Sequence, residues 1–571
     1  MKITTQHSNL LILLILLSLK ISAQKKTEQD IFCNPLNLNY RYQLDLPSRR
    51  EAADPSLVLF KDKYYLFASK SGGYWVSDNL MKWSFVTTAD LPVEDYAPTA
   101  LVMNNAMYLM ALDRRIYKSN DPMTGHWKVV KDSFDMYAGD PCLFLDDDGR
   151  LYLYHGVTNS KPIRGIELDK LSFNPIGEEK NLIIGNPKIY GWERTGNYNT
   201  ETKKPFLEGA WMTKRNGRYY LQYATPGTQY KSYSDGLYIA ESPLGPFKVA
   251  ENNPFSYKPE GFICSAGHGS TFQDKFGNYW HIVSMLIGIN HRFERRLGMF
   301  PAFFDNDQFF YTYTGFGDFP HRIPTKKLIS PDDYHPTGML LSYKKPVEVS
   351  SALEKQPKEN ATNENIQDYW SAQTGNKGEW LMIDLQQKCN LSSVQINFAE
   401  EATNLLGRSP SIYYQYLVEF STDKTNWKIL IDKRLNKTDF SHDFIDLAKP
   451  VTARYVRITN YHVPDGKFAI SGFRIFGKGY GKPSPQVTSV KVLREDTDKR
   501  NVKLTWTGNT NTTGYNIRYG TQPNKLYLNY QTFNSDSLTI HSLNSQLKYY
   551  FTIDSFNENG ITKGVKIVSA D

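Results

Sequence analysis

Cysteine is scarce in this chain of 571 residues: there are four, Cys33, Cys142, Cys264 and Cys389. Their wide spacing fits neither a zinc site nor a compact disulfide framework. They read as mostly buried thiols, with room for one disulfide in an oxidising compartment. Charged residues make up only 22% of the chain, which argues against a largely disordered polymer. Long apolar runs are missing too. The apolar block from Leu10 to Leu17 is too short for a bilayer core that needs about 20 apolar residues, so no membrane span is expected. No basic groove interleaved with aromatics is visible in the larger N-terminal part, which argues against nucleic acid as a partner.

Aromatic residues, by contrast, are plentiful: Phe 31, Tyr 38 and Trp 10. That richness is the mark of a strand-rich protein, and the length allows three or four domains. Lys2, the apolar block and the ending Ile21-Ser22-Ala23-Gln24 follow the three-part plan of a secretory signal peptide over residues 1–23. A secreted or periplasmic protein is therefore expected. Cys33 lies too far beyond the block to be a lipidated cysteine. The formal charge is +8, and removal of Lys2 and Lys20 leaves +6. Between Gly477 and Asp571 there are 12 Lys/Arg against 7 Asp/Glu, so the basic excess sits almost wholly at the C-terminus and says little about a substrate.

A strand pattern recurs five times between residues 50 and 315. The copies open at Ala53 (ADPSLVLFKDKYYLFAS), Ala97 (APTALVMNNAMYLMAL), Gly139 (GDPCLFLDDDGRLYLYHG), Glu208 (EGAWMTKRNGRYYLQYA) and Gly267 (GHGSTFQDKFGNYWHIVS). Each starts on a small or acidic residue, runs as an apolar strand, turns on a corner such as Asn216-Gly217 or Asp148-Gly149, and returns as an aromatic strand. With about four strands to a copy, the pattern predicts an all-β fold: a five-bladed β-propeller, residues 30–335, followed by two β-sandwich domains.

Radial closure brings the first residues of the innermost strands to one axis. Asp54, Asp140, Glu208 and His268 are expected there, at equivalent starts of different repeats. Asp-Pro alone is a common turn pair, and Asp146-Asp147-Asp148 reads as a solvated turn, but three acids in one register point to proton chemistry. Crowded carboxylates raise one another's pKa, which suits an acid, while another stays ionised as a base. Glycoside hydrolysis needs such a set.

Asp54-Pro55, Asp140-Pro141 and Glu208-Gly209, each opening a blade, resemble the three-acid signature of glycoside hydrolase family 43, inverting propeller enzymes that include β-xylosidases and α-L-arabinofuranosidases. The resemblance covers roughly residues 50–325. It implies Asp54 as general base, Glu208 as general acid and Asp140 as the residue that tunes and orients the acid. It further implies His268 as an axial histidine holding a water or a metal such as calcium, although no metal ligand is assigned and no cofactor is required. Arg295 or Arg296 would bind the sugar. Trp75 and Trp211 are candidates for stacking on a sugar face, and the insertion from Asn186 to Pro205 for walling one side of the pocket. The expected substrate is a polysaccharide or oligosaccharide, cut to release a terminal pentose, foremost β-linked xylose. A non-catalytic sugar-binding propeller is the alternative of another class.

Residues 346–478 resemble the discoidin, or coagulation factor type C, sandwich, through Gly378 to Leu385, Val418 to Asp423 with Trp427, Ala453 to Ile458 and Gly472 to Gly477. Residues 484–571 resemble a fibronectin type III sandwich, with Trp506 and Tyr515 as its core aromatics.

Overall fold

Three four-stranded antiparallel sheets are followed along the chain by an eight-stranded one, which consists of two four-stranded antiparallel halves joined by a single parallel pair, Ser234 with Ala266. The computed structural model describes residues 30–571 except Asp135 and Asn509; the expected signal peptide lies outside them. Blade I spans Ala53–Phe60 to Ser84–Val86, blade II Thr99–Met103 to Lys128–Lys131, and blade III Cys142–Leu145 to Pro175–Ile183. Blade IV spans Glu208–Arg215 to Lys248–Val249, and blade V Cys264–Gln273 to Phe310–Thr312. Together they are the five-bladed propeller. Among the described residues the only helical pieces are four short 3-10 turns, so the protein is all-β.

The returning aromatic strands fill the spaces between sheets. Trp75, Trp280 and Tyr40 pack where blades V and I meet, and Phe67, Tyr74 and Trp127 where I meets II. Each inner strand would leave backbone N–H groups unpaired along the axis. The residue two places after Asp54, Ala97, Asp140, Gly209 and His268 stands at each joint, and at four of the five it accepts from such an N–H. Ser56 Oγ accepts from Ala100 N–H at 2.9 Å, Thr99 Oγ1 from Leu143 N–H at 3.2 Å, and Ser270 Oγ from Leu57 N–H at 3.2 Å. The thiol of Cys142 takes the same role toward Met212 N–H. Between blades IV and V the equivalent residue is Trp211, whose indole N–H donates to Thr271 O at 3.1 Å. All four cysteines are free and buried.

Two sandwiches complete the fold. Residues Met339–Leu340 to Ala469–Lys478 form an eight-stranded arrangement in which Trp380–Phe398 and His442–His462 are long central strands. Its core includes Trp370, Phe398, Phe468 and Phe473. From Val490 onward, a three-stranded and a five-stranded sheet enclose Trp506 and Tyr515, which meet edge to face at 5.1 Å. This last sandwich is docked on the propeller, with Tyr527 stacked on Tyr311 at 3.7 Å. The insertion 186–205 contacts it as well: Gly191 N–H donates to Leu543 O at 2.9 Å, Ser545 N–H to Ile189 O at 2.9 Å, and Arg194 pairs with Asp498 at 3.1 Å. The expected pocket wall is thus an inter-domain strut in these contacts.

Candidate active site

Each inner strand begins with a kink. Asp54, Ala97, Asp140 and His268 have φ of 51°, 50°, 49° and 46°, and Gly209 has 60°. A non-glycine residue in this left-handed region costs on the order of 1 kcal/mol. A register shift accompanies the kink between Ala53 and Ser56, Glu208 and Trp211, and Gly267 and Ser270; such bulges re-aim side chains. Glu208 is therefore not in the register expected from the repeats. The residue equivalent to Asp54, Asp140 and His268 is Gly209, and Glu208 stands one place earlier, level with Ala53 and Gly267. The reason is steric. A Cβ on Gly209 would lie 2.7 Å from the His268 ring, so the carboxylate of blade IV has to come from a neighbouring position.

The three acids converge on His268. Its Nδ1 lies 3.3 Å from Asp54 Oδ1 and 3.7 Å from Asp140 Oδ2, and both aspartates are nearly buried, 5% and 6% exposed. Asp54 accepts from Ser69 Oγ at 2.6 Å, from Ser284 Oγ at 3.4 Å and from Arg295 Nη1 at 3.1 Å, while its own N–H donates to Ser284 Oγ at 2.7 Å. Arg295 also donates to Glu51 Oε1 at 2.7 Å and to Thr228 Oγ1 at 3.1 Å. Glu208 Oε1 accepts from the Tyr233 hydroxyl at 2.5 Å, and Asp140 accepts from Gly209 N–H. Below the histidine, Asp235 accepts from the N–H groups of His268 and Gly269 at 2.7 and 2.9 Å and pairs with His281 Nε2 at 2.8 Å.

These environments split the carboxylates. Burial raises Asp54, but Arg295, His268 and the two serines outweigh it and hold the group below the ordinary aspartate range. Burial pushes Asp140 up to about 7, with Glu208 and Asp54 adding to the rise against His268. Burial likewise raises Glu208. His268 is raised because four carboxylates, Asp54, Asp140, Glu208 and Asp235, outweigh its burial. The site therefore holds Asp54 toward its ionised form beside Asp140 and Glu208, both shifted toward the protonated one, the division a paired acid and base require.

The other expected site residues lie elsewhere. Trp75 is 0% exposed, edge-on to Phe85 and bonded to Asn39 Oδ1 at 2.7 Å. Trp211 serves the joint between blades IV and V described above. Arg296 turns away from the acids, toward His442 Nε2 at 2.9 Å; consecutive side chains of a strand face opposite sides, so only Arg295 reaches the site. Among the described residues no three His, Cys, Asp or Glu converge as metal ligands, and the carboxylates are balanced by His268 and Arg295. A cavity of about 900 Å³ lies between blade V and both sandwiches, lined by Tyr313, Asn390, Arg518 and Asn559, and includes none of the acids. Proton chemistry follows the acids and not the cavity volume. Ser69, Ser284, Glu51, Thr228, Tyr233 and Asp235 were not legible in sequence; only Glu51, three residues before Asp54, had a position that could have suggested it.

Comparison with known proteins bears on this geometry. Residues 48–310 match the family described as glycosyl hydrolases family 43, and residues 346–471 match the F5/8 type C domain. The two matches follow one another along the chain in that order. Over 129 residues it is 31% identical to a protein named Beta-xylosidase from Xylanibacter ruminicola, covering 19% of this chain and 39% of that one. Over 148 residues it is 29% identical to a protein named Beta-D-galactofuranosidase xynD from Aspergillus niger, covering 25% and 36%. The chain thus spans well under half the length of these relatives. A solved structure titled Glycoside hydrolase aligns with 77% of this chain and 99% of its own, at 18% identity and a TM-score of 0.43.

Proposed function

We propose that the protein is an inverting exo-glycoside hydrolase that releases a terminal pentose, foremost β-linked xylose, from a polysaccharide or its fragments. The observation that carries this reading is the split among converging carboxylates: Asp54 held ionised, Asp140 and Glu208 held toward the protonated form. Glu208, with Oε1 engaged by Tyr233, gives the proton on its other oxygen to the departing glycosidic oxygen. Asp54 takes a proton from a water that attacks the anomeric carbon from the opposite face. The carbon–oxygen bond to the leaving group breaks, the bond to water forms, and the configuration inverts. Asp140 and His268 set the charge around both carboxylates, and Arg295 holds the base.

Near-complete burial of Asp54 and Asp140 supports attack on a chain end over attack within a chain. The name of the Xylanibacter ruminicola relative supports xylose; that of a Paenibacillus polymyxa relative, Arabinoxylan arabinofuranohydrolase, supports α-L-arabinofuranose as the second reading. The leader over residues 1–23 supports export, and the three-plus-five strand arrangement after Val490 supports a fibronectin type III module. Purified protein is expected to hydrolyse aryl β-xylosides or aryl α-L-arabinofuranosides, with proton NMR showing the inverted anomer first. Product of retained configuration, or undiminished turnover in both Glu208→Gln and Asp54→Asn, refutes the mechanism.

A further inference from the structure

Two neighbouring backbone segments each send consecutive side chains to opposite sides, as extended chain does. Before blade I, Glu51 turns toward Arg295 and Arg50 turns away; in the third strand of blade V, Arg295 turns toward Asp54 and Arg296 turns away. The segments are tied by Ala52 N–H to Arg295 O at 3.3 Å and by Arg296 Nη1 to Arg50 O at 2.6 Å. On the far side both arginines end in the second domain. Arg50 Nε donates to Glu400 Oε1 at 2.7 Å, and its two Nη atoms donate to the Asp439 carboxylate at 2.6 and 2.9 Å. Arg296 Nε donates to His442 Nε2 at 2.9 Å, with Glu400 Oε2 at 3.9 Å from Nη2. Arg50, Arg296 and His442 are at most 1% exposed. To accept at Nε2, His442 has to be neutral with its proton on Nδ1, which faces Asn397 Oδ1 at 2.9 Å; burial and the two arginines hold its pKa well down.

We propose that Glu400, Asp439 and His442 of the second domain are positioning residues for Asp54, acting through the paired segments Arg50-Glu51 and Arg295-Arg296. The inference rests on the reading of Asp54 as the base. None of the three touches the reacting atoms. They fix one face of a two-strand unit whose other face carries the guanidinium that holds Asp54. A buried arginine stripped of its partner is driven to seek another or to reach water, and a shift of one strand moves both of its faces.

The test uses the full chain with His442→Ala, Asp439→Asn and the conservative His442→Gln, whose carbonyl can still accept from Arg296. In His442→Ala, kcat/KM on an aryl glycoside is expected to fall on the order of tenfold, mainly in kcat, since small misplacements of a catalytic group are amplified in rate. The acid limb of its pH profile should move to higher pH. Asp54 then keeps Ser69, Ser284 and His268 but loses part of the Arg295 field that offsets burial and the facing acids Asp140, Glu208 and Glu51, with Tyr96 and Tyr233 alongside. His442→Gln should restore both rate and limb, and crystals of His442→Ala should show Arg295 out of hydrogen-bond reach of Asp54. The proposal is overturned if that contact and the acid limb stay as in the wild type in His442→Ala and Asp439→Asn, or if activity falls with no shift of the limb and no rescue by glutamine. Should His442→Ala fail to fold, Asp439→Asn decides by the same two readouts. A wild-type protein that turns over no glycan refutes the hydrolase reading, whereas the Arg295–Asp54 contact in variant crystals still decides positioning.

Discussion

At the residue scale, one aspartate is placed at odds with stability. Asp140 is pushed up to about 7 by burial and its acidic neighbours, so its folded pKa lies above the unfolded value near 3.9. A group raised on folding lends stability below the unfolded pKa that is lost as pH rises through the folded one. Asp140→Asn should therefore melt at a higher temperature than the wild type at pH 8, and the gap should close as pH falls toward 4; a gap that widens in acid would refute the assignment. The same values shape the rate. Activity should fall as pH rises past the raised pKa of Glu208, where the proposed acid loses its proton, and hold down to the range below ordinary aspartate where Asp54 takes a proton. Glu208→Gln should lower kcat on unactivated oligosaccharides by about 10²–10⁴ and much less on aryl glycosides with good leaving groups, which steady-state kinetics on the two substrate types would separate. The acids were legible because Asp-Pro and Glu-Gly stand at the heads of repeats. Tyr233, Ser69 and Ser284 were not: single hydroxyl residues inside ordinary strands carry no pattern, and only closure of the ring brings them to the carboxylates. The offset of Glu208 was equally hidden, because it depends on the space taken by the His268 ring above Gly209.

At the scale of elements, the inner strands are built on two rules, a left-handed residue that aims a side chain into the axis and a small polar residue that caps the next blade. Ser56→Ala removes the acceptor of Ala100 N–H and should destabilise the protein by roughly 1–3 kcal/mol, the penalty of a buried donor left unpaired. Denaturant unfolding would show it, and an unchanged midpoint would count against the joint. Gly209→Ala meets both a positive φ and a 2.7 Å contact with His268, so activity should fall along with stability. The blades themselves were readable from hairpin corners and aromatic return strands, since alternation and turn chemistry are local. The joints were not, although Ser56, Thr99, Cys142 and Ser270 stand in register, because Trp211 interrupts the series with a side chain that donates to a carbonyl instead of accepting from an N–H. Trp75 and Trp211 looked like sugar platforms for a related reason: composition shows that an aromatic is present, not which side of a sheet it faces.

At the scale of the whole molecule, the propeller is held from two directions by sandwiches that sequence reading treated as appendages. Truncation after residue 483 would remove the partners of Ile189, Gly191 and Arg194 and uncover Tyr311, so a lower melting temperature and a looser insertion ahead of Glu208 are expected. Limited proteolysis between residues 186 and 205 would report the second effect. Domain order was legible from the change of strand pattern, but docking was not, because it depends on surfaces far apart in sequence. Each blade here is contiguous in the chain, and the two ends of the ring are tied outside the blades, where Ile31–Phe32 pairs antiparallel with His321–Arg322. The seam between blades V and I is crossed by Leu57 N–H to Ser270 Oγ, by Asp54 with Ser284 and Arg295, and by the stretch before blade I, where Leu36 N–H meets Leu297 O at 2.9 Å. The proposed base, Asp54, is thus among the stitches of the seam. During gentle heating the ring should part there first, which makes loss of turnover an early gauge of opening, ahead of any spectroscopic sign that the blades themselves have melted.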